Sequence, residues 1–176
     1  MNDSRIIFIG GIHGVGKGRI CQELCEDETI EYLSASKLIK WEQVSPDVKN
    51  KKVTDIPDTQ NRLINALKSI CESGKTYLLD GHYCLLDSNS TVNKVAKEVF
   101  SVISPYFLIV VSEEPEVVIQ RLKSRDSKQY EHSLIEEMLE QELTYSLNLG
   151  KAFDIEHYHV TPHNKEEIIT AIKARI

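Results

Sequence analysis

No run of apolar residues reaches the ~18 needed to cross a bilayer as a helix. The polar start Met1-Asn2-Asp3-Ser4, followed by a short apolar run, does not read as a secretion signal. Positive charge is in deficit: 21 Lys and Arg stand against 27 Asp and Glu, a formal net charge of −6. That balance gives no electrostatic footprint for nucleic acid or a membrane surface, although it leaves room for a local basic cleft that binds phosphates. Cysteine is sparse. Cys21, Cys25, Cys71 and Cys84 form no C-x-x-C pair, and no histidine spacing around them suits zinc. Cys21 and Cys25, four apart in a predicted helix, read as small buried side chains in a reducing cytoplasm. Repeats and low-complexity segments are also absent. The 176 residues, 41% hydrophobic and 27% charged, suit one globular domain over 1–176.

Strand and helix patterns alternate along the chain. Ile6 to Ile9 is a short β-branched and aromatic run ending in Gly10-Gly11, which predicts a buried strand. Helical spacing follows from Gly16 to Glu26. A weak strand at Tyr32-Leu33 and a short helix from Ala35 to Gln43 come next. The polar stretch from Ser45 to Pro57 predicts a loop or mobile segment. Helix is predicted over Asp58–Glu72, stopped by Ser73-Gly74, and strand over Thr76–Leu79, ending at Asp80. Asp87 to Thr91 reads as a loop, Val95–Ile103 as a helix, and Tyr106–Val111 as the clearest strand. Pro115 opens a helix to about Lys123. Ser133 to Leu149 predicts a long helix, Ile155–Val160 a last strand and Lys165–Arg175 a closing helix. Such alternation predicts an α/β three-layer sandwich: a parallel five-stranded sheet covered by helices on both faces. Ligands in such sheets bind at the carboxyl ends of strands, where Gly11, Asp80 and Ser112 fall.

The segment Gly11-Ile12-His13-Gly14-Val15-Gly16-Lys17-Gly18 fits G-x-x-x-x-G-K, with Gly18 where a Ser or Thr is usual. Glycines let successive backbone N–H groups face one hollow, and a following helix N-terminus favours an anion there. Lys17 adds a point charge at the outer phosphates. The expected ligand is a nucleoside triphosphate, ATP. Gly18 has no hydroxyl to hold Mg²⁺.

The string G-K-G resembles the adenylate kinase form of this loop, G-x-P-G-x-G-K-G-T, with His13 in place of the proline and Arg19 in place of the threonine. The resemblance continues in order over nearly the whole chain. Leu33 to Lys40 is similar to S-T-G-D-L-L-R, with Ser34 matching its serine and Lys40 standing where an arginine grips the acceptor; Ser36 and Lys37 depart from it. Leu78-Leu79-Asp80-Gly81-His82-Tyr83 is similar to the family's D-G-F-P-R strand end. Its Asp80-Gly81-His82 also resembles the D-x-H of atypical adenylate kinases. Arg121-Leu122-Lys123-Ser124-Arg125 resembles the R-L-x-x-R that precedes the lid in nucleotide kinases. Val160 to Asn164 matches, by position alone, the loop that backs the adenine ring.

The resemblance implies a P-loop kinase fold with a short lid at about 125–132 and an acceptor-binding segment at about 34–60. It implies ATP contacts from Gly11, His13, Gly14 and Val15, continuing through Gly16, Lys17, Gly18 and Arg19. Lys17, Asp80, His82, Arg121 and Arg125 are the expected catalytic set, and Asp80 is expected to organise Mg²⁺ through water. Ser34, Ser36, Lys40 and Tyr83 are the expected acceptor contacts. The expected reaction is phosphoryl transfer from ATP-Mg²⁺ to a small acceptor, nucleotide or nucleoside-like, in the cytoplasm. The rival expectation is a slow ATPase acting as a switch with a macromolecular partner. Neither oligomeric state nor donor base preference follows from the sequence.

Overall fold

The computed structural model describes residues 3–26, 28–39, 56–87, 89–126 and 130–176, the side chains of 56, 57 and 126 excepted. Five strands form one all-parallel sheet in the order β2-β3-β1-β6-β7. They are β1 (Arg5–Gly10), β2 (Ile30–Ser34), β3 (Thr76–Asp80), β6 (Phe107–Val111) and β7 (Glu156–Val160). A hairpin of β4 (Cys84–Leu86) and β5 (Val92–Lys94) stands apart as a two-stranded antiparallel sheet. The helices are α1 (Lys17–Leu24), α2 (Ala35–Leu38), α3 (Ile56–Ile70), α4 (Lys97–Ile103), α5 (Pro115–Asp126), α6 (His132–Phe153) and α7 (Lys165–Lys173).

Side chains alternate across a strand, so β1 feeds two cores. Ile6 and Phe8 point to one face, where they pack with Leu63 and Leu67 of α3, Phe100 and Ile103 of α4, and Leu149 of α6. Ile7 and Ile9 point to the other and meet Ile20 and Leu24 of α1, Val118 and Leu122 of α5, and Ile169 and Ile172 of α7. Burial on both faces explains why β1, β3 and β6 read as continuous apolar runs. The predicted three-layer sandwich is the observed one.

Register brings the site to one edge. Ile9 pairs with Asp80 and Ser34 pairs with Asp80 across β3, while Gly10 pairs with Val110. The carboxyl ends of β1, β2, β3 and β6 therefore line up. Gly11 continues this edge at φ 137, and a Cβ there would come within 2.6 Å of the Val111 carbonyl oxygen. Only glycine accommodates both the dihedral and that approach.

The reading differs from the fold in three places. The hairpin β4–β5 was not expected: its strands are three residues each, too short for an alternating pattern to register. The predicted mobile segment 45–57 lies outside the described residues up to 55, and α3 already begins at Ile56. Tyr83, expected to contact the acceptor, is a core residue. It is fully buried, its hydroxyl donates to the Ile109 carbonyl at 3.0 Å, and its ring packs edge-on against Phe8 with centroids 4.9 Å apart. Its ring lies directly against Gly10 at the end of β1, where a Cβ would come within 2.4 Å of it, so it turns inward while His82, one residue earlier, lines the cleft.

Tyr83→Phe should therefore lower stability by about 1–2 kcal/mol, the loss of one buried hydrogen bond. The denaturant midpoint would report it. An unchanged midpoint would show that the hydroxyl contributes nothing.

Candidate active site

The phosphate loop turns on Gly14 and Gly16, at φ 90 and φ 100. Gly16 caps α1 in the left-handed conformation, and no side chain caps that helix end. Apart from Arg19, whose N–H donates to the Gly16 carbonyl at 3.2 Å, the first-turn N–H groups have no side-chain cap beside the loop, the arrangement an anion needs. Lys17 is buried at the start of α1. Its ammonium donates to the Gly11 carbonyl and stands 3.9 Å from Asp80 Oδ1. Burial holds its pKa below the ordinary range, against the opposing pull of Asp80 and Glu142.

Asp80 sits at the end of β3 and accepts a hydrogen bond from the Tyr32 hydroxyl at 2.9 Å. Burial, and next the Asp80 charge, raise the Tyr32 phenol's pKa, so it remains a donor. Arg121 reaches back from α5: Nη1 donates to the Gly14 carbonyl at 2.9 Å and Nη2 to Glu113 Oε2 at 2.9 Å. That pair of bonds aims a guanidinium at the loop. His13 and His82 meet edge-on with ring centroids 4.5 Å apart.

Behind His82 lies Glu142, on α6 and 1% exposed. Its two oxygens accept the Tyr83 and Cys84 backbone N–H groups at 3.0 and 3.1 Å, and Oε1 lies 3.6 Å from His82 Nδ1. Burial pushes its carboxyl up to about 7, partly offset by Lys17 and the backbone N–H groups. One helix thus fixes the Asp80–Cys84 turn through a single buried carboxylate.

A cleft of about 540 Å³ joins these groups. Lys17, Asp80, His82 and Arg121 line it together, as do His13, Gly14, Gly16 and Gly18, and Arg19 at the rim. Val15 is buried beneath the loop with the core, beside Gly11. Arg19 is largely exposed and pairs with Glu23 at 3.1 Å. Ser34 and Ser36 line the opposite wall, their hydroxyls 2.9 Å apart. Arg125, one turn beyond Arg121, is exposed and does not line the cleft. Lys40 and lid residues 127–129 lie outside the described residues.

Glu142, Tyr32 and Glu113 were not foreseen. Glu142 had a signal: it interrupts the inward stripe Ile135, Leu139, Leu149 of α6 at helical spacing. A charge in an apolar stripe points to a buried partner.

ATP-Mg²⁺ suits this donor set. Beyond its chain neighbours and its own helix backbone, no atom lies within 4 Å of a Cβ built on Gly18, so the first turn of α1 is open on that side. Among the described residues no cluster of three or more potential metal ligands occurs; the Asp80 carboxylate, 3.9 Å from the Lys17 ammonium on the cleft wall, is of the kind that could hold the ion through water.

A family model described as an AAA domain matches residues 10–139. Adenylate kinase isoenzyme 1 of Cyprinus carpio is 25% identical over 134 residues, which cover 71% of this chain and 66% of that protein. UMP-CMP kinase 2 of Caenorhabditis elegans is 30% identical over 86 residues, which cover 43% of this chain and 44% of that protein. The matches thus span less than two thirds of either relative. A gluconokinase from Sinorhizobium meliloti has the same fold, with a TM-score of 0.62 at 16% identity over 99% of this chain and 94% of its own. No described helix is long and apolar enough to cross a membrane.

Glu142 makes stability depend on pH with a definite sign. A carboxyl raised from 4.5 to about 7 on folding stabilises fully below the lower value. That contribution is lost as pH rises through about 7. His157 and His159, lowered chiefly by burial, act oppositely and destabilise the fold as pH falls. Subtracting the Glu142→Gln profile from the wild type isolates the carboxyl. The difference in denaturant midpoint should change between pH 5 and 8, the wild type losing ground as pH rises. Parallel profiles would show that Glu142 does not titrate in this window.

Proposed function

The chain belongs to the AAA domain family, and from that premise we propose that it transfers the terminal phosphoryl group of ATP-Mg²⁺ to a small-molecule acceptor. The observation that carries this reading is the convergence of Lys17, Asp80, His82 and Arg121 on one cleft that extends beyond the phosphate loop. A nucleotide switch needs the loop; a transferase also needs room for a second reactant beside it.

Each group has a task. The loop amides and Lys17 bind the outer phosphates. Arg121, anchored on Gly14 and Glu113, supports the charge that spreads over the transferring group. Asp80, braced by Tyr32, would hold Mg²⁺ through water, and the ion would neutralise phosphate charge. The acceptor oxygen forms its bond to the terminal phosphorus as the bond to the bridging oxygen breaks. The nucleoside diphosphate leaves with the electron pair. His82 accepts the hydroxyl proton, and the Glu142 carboxylate 3.6 Å away stabilises the resulting imidazolium.

Lys17→Ala should abolish the rise in thermal midpoint that ATP produces in the wild type, because a ligand stabilises only the state it binds. Full ATP stabilisation in the variant would sink the assignment. Arg121 acts on the transition state, so Arg121→Ala should lower transfer by about a hundredfold with little change in ATP affinity. If no acceptor in a nucleotide and metabolite panel outpaces water, the slow ATPase replaces the transferase.

A further inference from the structure

Helix α1 opens with two cations and no acid. Lys17 and Arg19 both fall in its first turn, which holds no acidic residue. A helix N-terminus carries partial positive charge, so side-chain cations there are repelled by the dipole unless an anion joins them. Two residues apart on a helix, the side chains leave in nearly opposite directions. Lys17 turns inward and is buried against the Gly11 carbonyl and Asp80. Arg19 turns outward and borders the same cleft at its rim.

Arg19 is loosely held where it stands. Its side chain is 79% exposed, and its Nε donates to Glu23 Oε1 at 3.1 Å, an i,i+4 pair. Exposed pairs of that kind contribute little. Glu23 does not depend on this one. The same oxygen accepts a hydrogen bond from Lys165 Nζ of α7 at 2.7 Å, and Lys165, ahead of Arg19, holds the Glu23 carboxyl below its usual range. If Arg19 leaves, Glu23 keeps a counter-charge. The bond engages Nε, so the two Nη groups, which can grip a phosphate as a fork, lie outside it. The Arg19 backbone N–H is already engaged by the Gly16 carbonyl at 3.2 Å, so what the residue can offer an anion is its guanidinium.

We propose that Arg19 is a second nucleotide-binding cation, one that exchanges Glu23 for the nucleotide's phosphates and lets this chain hold a nucleoside di- or triphosphate without a divalent metal. The proposal rests on the nucleotide-binding part of the reading above and adds how the phosphate charge is met. Gly18, between the two cations, has no hydroxyl to offer a metal. Lys17 meets the phosphates from the floor of the cleft. Arg121 meets them from the α5 side, where its Nη1 lies 3.7 Å from a Cβ built on Gly16, and Arg19 from the rim. A polyanion lying among these three cations reverses the sign of the dipole's effect on Arg19. Binding and transfer then differ in their need for Mg²⁺.

The probe is ADP carrying a fluorescent N-methylanthraniloyl group on the ribose, titrated at low salt in EDTA and again in excess Mg²⁺, with unlabelled ADP and ATP as competitors. The variants are Arg19→Gln, Arg19→Lys and Glu23→Gln, and Lys17→Ala is the control for binding at the loop. Position 19 is exposed, so its variants should keep the wild-type unfolding transition.

The wild type should bind saturably in EDTA, with an affinity that Mg²⁺ changes by less than about threefold. Arg19→Gln should weaken binding in EDTA by about tenfold, the order of one charge-assisted contact. Arg19→Lys should retain part of the affinity, because it keeps the charge and loses the fork. Added salt should narrow the gap between the wild type and Arg19→Gln, because an exposed cation is screened. Glu23→Gln, which releases the guanidinium without removing it, should bind no more weakly than the wild type.

Equal affinity of Arg19→Gln and the wild type in EDTA overturns the proposal and leaves the nucleotide reading standing. So does wild-type binding that appears only with Mg²⁺. Equal weakening in Glu23→Gln assigns the effect to the pair within α1 and overturns the proposal as well. If the wild type binds in neither condition, or Lys17→Ala binds as tightly as the wild type, the nucleotide reading itself fails and the role of Arg19 fails with it.

Discussion

One buried carboxylate holds the two halves of the site in register. Glu142 comes from α6, far along the chain, yet it accepts the backbone N–H groups of Tyr83 and Cys84 and stands beside His82. Without it, the turn after β3 would present two buried donors with no acceptor, a cost of about 1–3 kcal/mol each. The carboxylate is tolerable there because backbone donors and the nearby Lys17 ammonium compensate for lost hydration. Lys17 in turn is held by Gly11 and faces Asp80. A buried lysine and glutamate thus form one electrostatic unit with an aspartate and a histidine that stand partly open to the cleft, and the flanking strands set its geometry.

Much of this was legible in the sequence, because the relevant signals are local. The glycines and Lys17 of the loop, the apolar runs of β1, β3 and β6, and Asp80 at a strand end each declare themselves within a few residues. Their convergence follows from parallel pairing, which aligns the strand ends. What escaped was long-range. The partners Glu142 and Tyr32 reach His82 and Asp80 across 60 and 48 positions of chain respectively. Tyr83 was misplaced for a related reason: adjacency to Asp80-Gly81-His82 suggested a contact, but the direction of its side chain is set by packing under Phe8. Arg125 shows the limit of helical spacing. It shares a face with Arg121, yet the loop it would have to reach lies opposite only one of the two.

The kinases to which this chain is similar include proteins named for nucleotides and one named for gluconate. The phosphate-binding half of the site is common ground for any such donor. The remainder of the cleft is built by α2, α3, α4 and the hairpin, none of which contributes to the loop. On the proposed reading, acceptor choice and phosphate handling would reside in different parts of the chain.

Gly18 has a different implication. Beyond its chain neighbours and its own helix backbone, no atom lies within 4 Å of a Cβ built there, and the residue is helical, exposed and free of unusual backbone geometry. Steric exclusion therefore does not account for the missing hydroxyl. Position 18 is open to drift: lineages of this fold could exchange a glycine for a serine without disturbing a packed neighbour. The difference between holding a metal by side chain and by solvent would then be an inherited chemical preference, not an architectural necessity.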